Sequence, residues 1–239
     1  MLPRLAKNVD VANIRFGNAK KLDGGGVIVD IAYEDDRNGL YLQTPAVLCP
    51  FGARPSTFGD KWTMDVEVPY VDQVSELALV IDQLDDKVVE GIAQNSAGWF
   101  GVPMSAEDVA ASFSRSMRFG KDKVTGGVSK QYNPLLKLTM PKRYGKFMTQ
   151  VYDLDKRPVQ LCQVKSPATS EMTTNVEFKR ARVVAIVQPC NIWMNNKKTG
   201  ITWKVHQVKI AEAPADPAVS DHDPAGNNPT SAPAFVEDD

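Results

Sequence analysis

Trp62, Met64, Val66 and Val68 alternate with Lys61, Thr63, Asp65 and Glu67. Period-two patterning gives one apolar and one polar face, the mark of a half-buried strand. Val27–Tyr33 follows the turn Asp23-Gly24-Gly25-Gly26 and also reads as a strand, as does Leu40–Leu48 after Asp36-Arg37-Asn38-Gly39. Further strands are predicted at Leu135–Met140, Lys146–Tyr152, Phe178–Gln188 and Ile201–Ile210. Ile192-Trp193-Met194 and Ile201–Val205 flank Asn195–Gly200, which predicts a hairpin. One segment breaks the rhythm. Between Asp72 and Asn95, apolar residues fall at Val74, Leu77, Ala78, Ile81, Leu84, Val88 and Ile92. Three- and four-residue spacing predicts an amphipathic helix, here with an acidic outer face. Ser105-Ala106-Glu107-Asp108 resembles a capping box, with Asp at its third helical position, and predicts a second, short helix.

From Ala211 the pattern ends. Pro214, Pro217, Pro224, Pro229 and Pro233 stand among Ala, Asp, Asn and Ser, and little apolar surface offsets the entropy of ordering. The expectation is a disordered acidic tail over 211–239. It ends in Phe235-Val236-Glu237-Asp238-Asp239, so Phe235, Glu237, Asp238 and Asp239 are candidates for gripping a partner protein. The aliphatic runs Leu77–Ile81 and Val183–Val187 are too short to span a bilayer, so no membrane partner is expected. Arg4, Lys7, Asp10 and Arg15 punctuate the start, which does not read as a secretory signal. Cys49, Cys162 and Cys190 are few, odd in number and scattered. The expected location is a reducing intracellular compartment, and not outside the cell.

These residues offer little to catalysis. No Cys-x-x-Cys or His-x-x-x-His pair marks a zinc site, no phosphate loop or Gly-x-Ser-x-Gly elbow occurs, and His206 and His222 are the two histidines. No metal site, cofactor or enzymatic activity is expected. The enzymatic alternative is a Mg²⁺-dependent nuclease, because Asp153 with Glu177-Phe178-Lys179 resembles the Asp…Glu-x-Lys arrangement in which carboxylates hold the ion and lysine helps activate water. A third reading is a structural or interaction protein that works through its acidic helix and tail.

Charge changes the picture. The formal net charge of the 239-residue chain is −1, yet its charges are sorted. Residues 1–114 hold nine basic and 17 acidic groups, residues 115–182 hold 15 and five, and residues 211–239 hold seven acids and no base. In the basic half, cations interleave with aromatics: Arg115, Arg118, Lys121, Lys123, Lys130, Tyr132, Lys137, Lys142, Arg143, Tyr144, Lys146 and Phe147. Trp193, Lys197, Lys198 and Lys204 lie near the predicted hairpin. Phosphates need cations and unstacked bases need flat apolar platforms, so this set is the candidate nucleic-acid-binding surface. Trp193, Tyr144 and Phe147 lead as stacking candidates. Trp203 and Trp62 fall on apolar faces and are assigned to the core.

Leu135-Leu136-Lys137-Leu138, the run Val183–Trp193 and the run Ile201–Lys209 resemble the single-stranded DNA-binding proteins of large DNA viruses and some tailed phages. The resemblance is strongest over about 130–210, and the acidic tail agrees in character. It implies a mainly β protein: an OB-fold-like β-barrel over 1–210, with a helical insertion at about 72–113. It also implies sequence-independent binding of single-stranded DNA in replication, recombination or repair. The charge of the tail adds a further expectation, that it inhibits its own groove or recruits replication or recombination proteins; a homo-oligomer is a separate expectation that the resemblance leaves open.

Overall fold

The computed structural model describes residues 2–34, 39–56, 61–122, 124–129, 131–166, 170, 172–196 and 198–213. The strands that position the site are β1 (Ile14–Lys21), β2 (Val27–Tyr33), β3 (Trp62–Glu67), β4 (Leu135–Met140), β5 (Gln150–Tyr152), β6 (Ala181–Asn195) and β7 (Lys198–Glu212). Two helices, α1 (Glu76–Phe100) and α2 (Ala106–Ser112), lie within the segment where helices were expected. The reading as mainly β therefore holds, with two helices between β3 and β4.

The 15-residue strands β6 and β7 make an antiparallel hairpin that forms the axis of the sheet. Its turn is tighter than the Asn195–Gly200 loop expected, because β6 ends at Asn195 and β7 resumes at Lys198. Asn196 takes a left-handed φ of 48° there, a conformation that asparagine tolerates better than most residues. Register shifts between Arg182 and Val183, Ile186 and Val187, and Pro189 and Asn191 bend the long hairpin. Each strand therefore meets three partners in succession along its outer edge. For β6 they are β2, Leu42–Gln43 and Val47–Cys49, all antiparallel. For β7 they are Phe113–Ser114, β4 and β5, all parallel. The sheet continues from β4 through antiparallel β3 to Ala53–Pro55.

That ladder corrects the expected barrel. Its main path ends at Arg4–Leu5 on one side and Ala53–Pro55 on the other, and among the described residues these ends do not pair. Closure requires first and last strands to meet with matched tilt and stagger. Here the bend of one long hairpin is accommodated by successive short partners, and the sheet stays open. Two other strand expectations also change. Leu40–Leu48 divides around Pro45, which has no N–H to give to a ladder, into Leu42–Gln43 and Val47–Cys49. Lys146–Tyr152 divides into Lys146–Phe147, paired with Lys142–Arg143 in a small separate hairpin, and β5 of the main sheet.

The core lies between the sheet and α1. Met64 and Val66 of β3, Leu136 and Leu138 of β4, and Trp203 and Val205 of β7 are buried with Leu77, Ala78, Ile81, Leu84, Val88 and Ile92 of the helix. Ser75 Oγ accepts from Ala78 N at 3.2 Å to start α1, and Gly101 ends it in the left-handed region at φ 75°. The predicted Ser105–Asp108 capping box starts α2. The acidic face of α1 needs one correction. Asp85 is fully buried, and its carboxylate accepts from Ser116 N at 2.8 Å and Ser116 Oγ at 2.6 Å. Among the described residues, no helix is long and apolar enough to cross a membrane.

Candidate nucleic-acid interface

Alternation sorts the sheet into two faces. While Leu136, Leu138, Trp203 and Val205 enter the core, Lys137 and Thr139 of β4 and Thr202 and Lys204 of β7 take the opposite face. Register aligns these rows: Lys137 opposite Asp65, Thr139 opposite Thr63 and Lys204, and Lys204 opposite Gln188. Past the register shift at Pro189/Asn191, Asn191 pairs with Thr202 and Trp193 with Gly200 and Ile28, which returns Trp193 to this face. A Cβ at Gly200 would stand 2.7 Å from Trp193 Cζ2, so glycine there is what lets the indole lie against the sheet.

The result is a groove of about 620 Å³ lined by Lys61, Thr139, Asn191, Trp193, Thr202 and Lys204 with the Leu22–Ile28 turn. Trp193 is half-buried along its floor. Lys61 was not among the sequence candidates, since it precedes the basic half of the chain. Its place on the polar row of the strand pattern is the signal that could have found it. At the groove's margin, His206 stands 2.7 Å from Gln188 Oε1 and packs edge-on against Tyr41. Burial, helped by the Lys204 charge, lowers its pKa, so the ring stays neutral at pH 7 and its Nε2–H donates to the amide oxygen. The neighbouring Cys190 thiol is pushed up to about 11 by burial and is not a thiolate.

A second element rises where β4 ends. Pro141 accepts from Met148 N at 2.8 Å, closing a hairpin in which Lys142 pairs with Phe147 and Arg143 with Lys146. Tyr144 and Gly145 turn its tip at φ 51° and 76°. Phe147 is not a free platform. It meets Trp62 edge-on at 5.3 Å and carries Lys142 Nζ 5.6 Å from its ring. Lys142 also donates to Gln163 Oε1 at 3.2 Å. Tyr144 is 90% exposed, with the Arg143 guanidinium 5.3 Å from its ring centre.

The remaining candidates are spread more widely. Arg118 is tied to Asp65, which is 1% exposed and also holds Arg54, so two arginines neutralise one buried carboxylate. Arg115 pairs with Asp86 of α1. Lys121 and Tyr132 are exposed on the connection to β4, and Lys198 is exposed at the start of β7. Lys123, Lys130, Lys197, Phe235, Glu237, Asp238 and Asp239 lie outside the described residues, as does nearly all of the tail. Trp203 is core, as expected, and its Nε1 donates to Ser116 Oγ at 2.8 Å.

The carboxylates of the nuclease alternative are each engaged within their own turn. Asp153 accepts from Arg157 N at 2.8 Å inside its own turn, which lowers its pKa, and Glu177 accepts from Lys179 N at 2.8 Å. Among the described residues, no group of three or more His, Cys, Asp or Glu side chains is placed to hold a metal ion.

The fold and its groove define a sheet-based protein with a basic, aromatic-lined face. The chain belongs to a family of unknown function, DUF5871, whose sequence pattern matches residues 63–223. No curated protein matches the sequence. Among solved structures, it is similar to the single-stranded DNA-binding protein from bacteriophage Enc34 in complex with ssDNA. That match has 13% identity and a TM-score of 0.45, covering 86% of this chain and 99% of the phage protein. It is also similar to gp2.5, a single-stranded DNA-binding protein encoded by bacteriophage T7. There the identity is 7% and the TM-score 0.39, over 76% and 98% of the two chains.

Proposed function

We propose that this protein binds single-stranded DNA without reading its sequence and serves replication, recombination or repair. The observation that carries this reading is the open groove in which Trp193 lies over Gly200 with Lys61 and Lys204 beside it. A single strand offers unstacked bases and a regular row of phosphates. An indole stacks on any base, and ammonium groups neutralise phosphates whatever the base between them. Lys137 extends the cationic row along β4, and the Lys142–Phe147 hairpin adds Lys142, Arg143 and Lys146 at the end of that strand. Arg115 and Arg118 serve the fold first, through Asp86 and Asp65. No step of this function is catalytic.

The acidic residues of the 211–239 tail are the proposed competitor for the same face and the proposed handle for partner proteins. Titration with poly(dT), followed by tryptophan fluorescence at several salt concentrations, tests the reading. Quenching is expected, with log K falling against log salt at a slope near −3.5 if about five phosphates are neutralised, at roughly −0.7 each. Trp193→Ala should remove much of the quenching and weaken binding about tenfold, within the range of one lost base stack. Binding that ignores salt, or a Trp193→Ala variant that binds as the parent does, would sink the proposal.

A further inference from the structure

Tyr144 stands apart from the other aromatics of the basic half. Trp193 lies in a groove and Phe147 covers Trp62, whereas Tyr144 sits on a convex tip and exposes 90% of its surface. It does so at φ 51°, a left-handed conformation that is costly for a residue with a bulky side chain. A short turn of this kind is usually built from Asn, Asp or Gly. The local sequence therefore places a large ring where neither the turn nor the core calls for one. Lys142, Arg143 and Lys146 surround it, with no acidic residue between Pro141 and Gln150. The base of the hairpin is held in place by the Met148–Pro141 hydrogen bond and by Phe147 against the buried Trp62. It continues directly from β4, whose Thr139 lines the groove, and β4 ends where Lys61 precedes β3.

A flexible single strand can wrap into a groove and stack there. A lone ring on a projection anchored at its base is suited to a planar surface that is itself presented at an end. The last base pair of a duplex is such a surface, and two phosphate backbones flank it. We propose that the Lys142–Phe147 hairpin recognises the junction between single- and double-stranded DNA, with Tyr144 stacked on the terminal base pair. Lys142, Arg143 and Lys146 meet the backbones to either side, while the adjoining single strand follows the Trp193 groove. Apolar side chains inserted between base steps pay to unstack them, whereas a ring on the terminal pair stacks without that cost. The inference rests on the proposed single-strand binding and names where along DNA that binding is strongest.

The test compares a dT oligonucleotide with the same dT tail attached to a short hairpin duplex, using full-length protein at one fixed salt concentration. The tailed duplex is expected to bind about tenfold more tightly than the free tail, within the range of one added stack. Tyr144→Ala should abolish that preference, lowering affinity for the tailed duplex about tenfold and for free dT by much less, while Tyr144→Phe should keep it. Trp193→Ala should weaken both substrates in parallel. Equal affinity for tailed and free dT, or a preference that survives Tyr144→Ala, overturns the junction assignment and leaves single-strand binding standing. Failure to bind dT at all overturns both.

Discussion

Asp85 carries a charge into the interior, between α1 and the connection that leads from α2 to Arg118. Its two oxygens take hydrogen bonds from Ser116 N and Oγ, and Ser116 Oγ in turn accepts the indole N–H of Trp203, beneath the groove face of β7. Burial raises its pKa from 3.8 to about 6, against the lowering effect of the Ser116 hydrogen bonds. The folded state therefore holds a proton between about pH 4 and 6 that the unfolded chain releases. Stability from this group is greatest below pH 4, falls as pH rises through that window and levels off above about 6. A shift of two units corresponds to about 3 kcal/mol at order-of-magnitude precision. Asp85→Asn keeps an acceptor for Ser116 and removes the charge. Its stability in urea should match the parent near pH 4 and exceed it by about 1–3 kcal/mol near pH 7.5. A difference between variant and parent that stays constant with pH would refute this account.

The helix α1 meets the sheet closely enough that one position tolerates no side chain. A Cβ at Gly91 would stand 2.2 Å from Phe16 Cε2, and Phe16 is itself packed edge-on against Trp99 at 5.7 Å. Helix propensity alone favours Gly91→Ala by about 1 kcal/mol. The collision with an aromatic ring held on its other side should outweigh that gain, because overpacking typically costs about 1–3 kcal/mol. The expected outcome is a lower urea midpoint with an unchanged slope. Equal or higher stability would show that β1 gives way freely. This contact was invisible in the sequence, and so was β1, whose Ile14–Lys21 segment lacks clean alternation and shifts register between Phe16 and Ala19. What was legible followed local rules: the spacing of α1, the Ser105–Asp108 cap, the alternation of β3 and the hairpin of β6 and β7. What was not legible depended on distant partners. Asp65 and Asp85 occupy positions that a polar pattern assigns to solvent, yet both are buried with partners far along the chain.

At the scale of the whole molecule, the site was half legible for the same reason. Alternation separates Lys204 from Trp203 on β7, but it could not show that a register shift at Pro189/Asn191 would turn Trp193 to the groove face, that Arg115 and Arg118 would be drawn to Asp86 and Asp65, or that Lys61 would join the groove. Charge segregation is a property of the complete chain. Residues 1–213 carry 28 basic and 23 acidic groups, and residues 214–239 add six acids and no base. A polyanionic tail tethered to the proposed DNA-binding face would have a high local concentration there and would compete with DNA for the same ammonium groups. Such competition is electrostatic and weakens with salt, since the Debye length falls from about 10 Å at 0.1 M to about 3 Å at 1 M. Removing residues 214–239 should therefore tighten dT binding several-fold at about 20 mM salt and hardly at all near 0.5 M. It should also make the slope of log K against log salt steeper, because added salt no longer relieves the groove of its internal rival. A truncated protein that binds dT as weakly as the parent at low salt, with the same slope, would show that the acids do not visit the groove and act elsewhere.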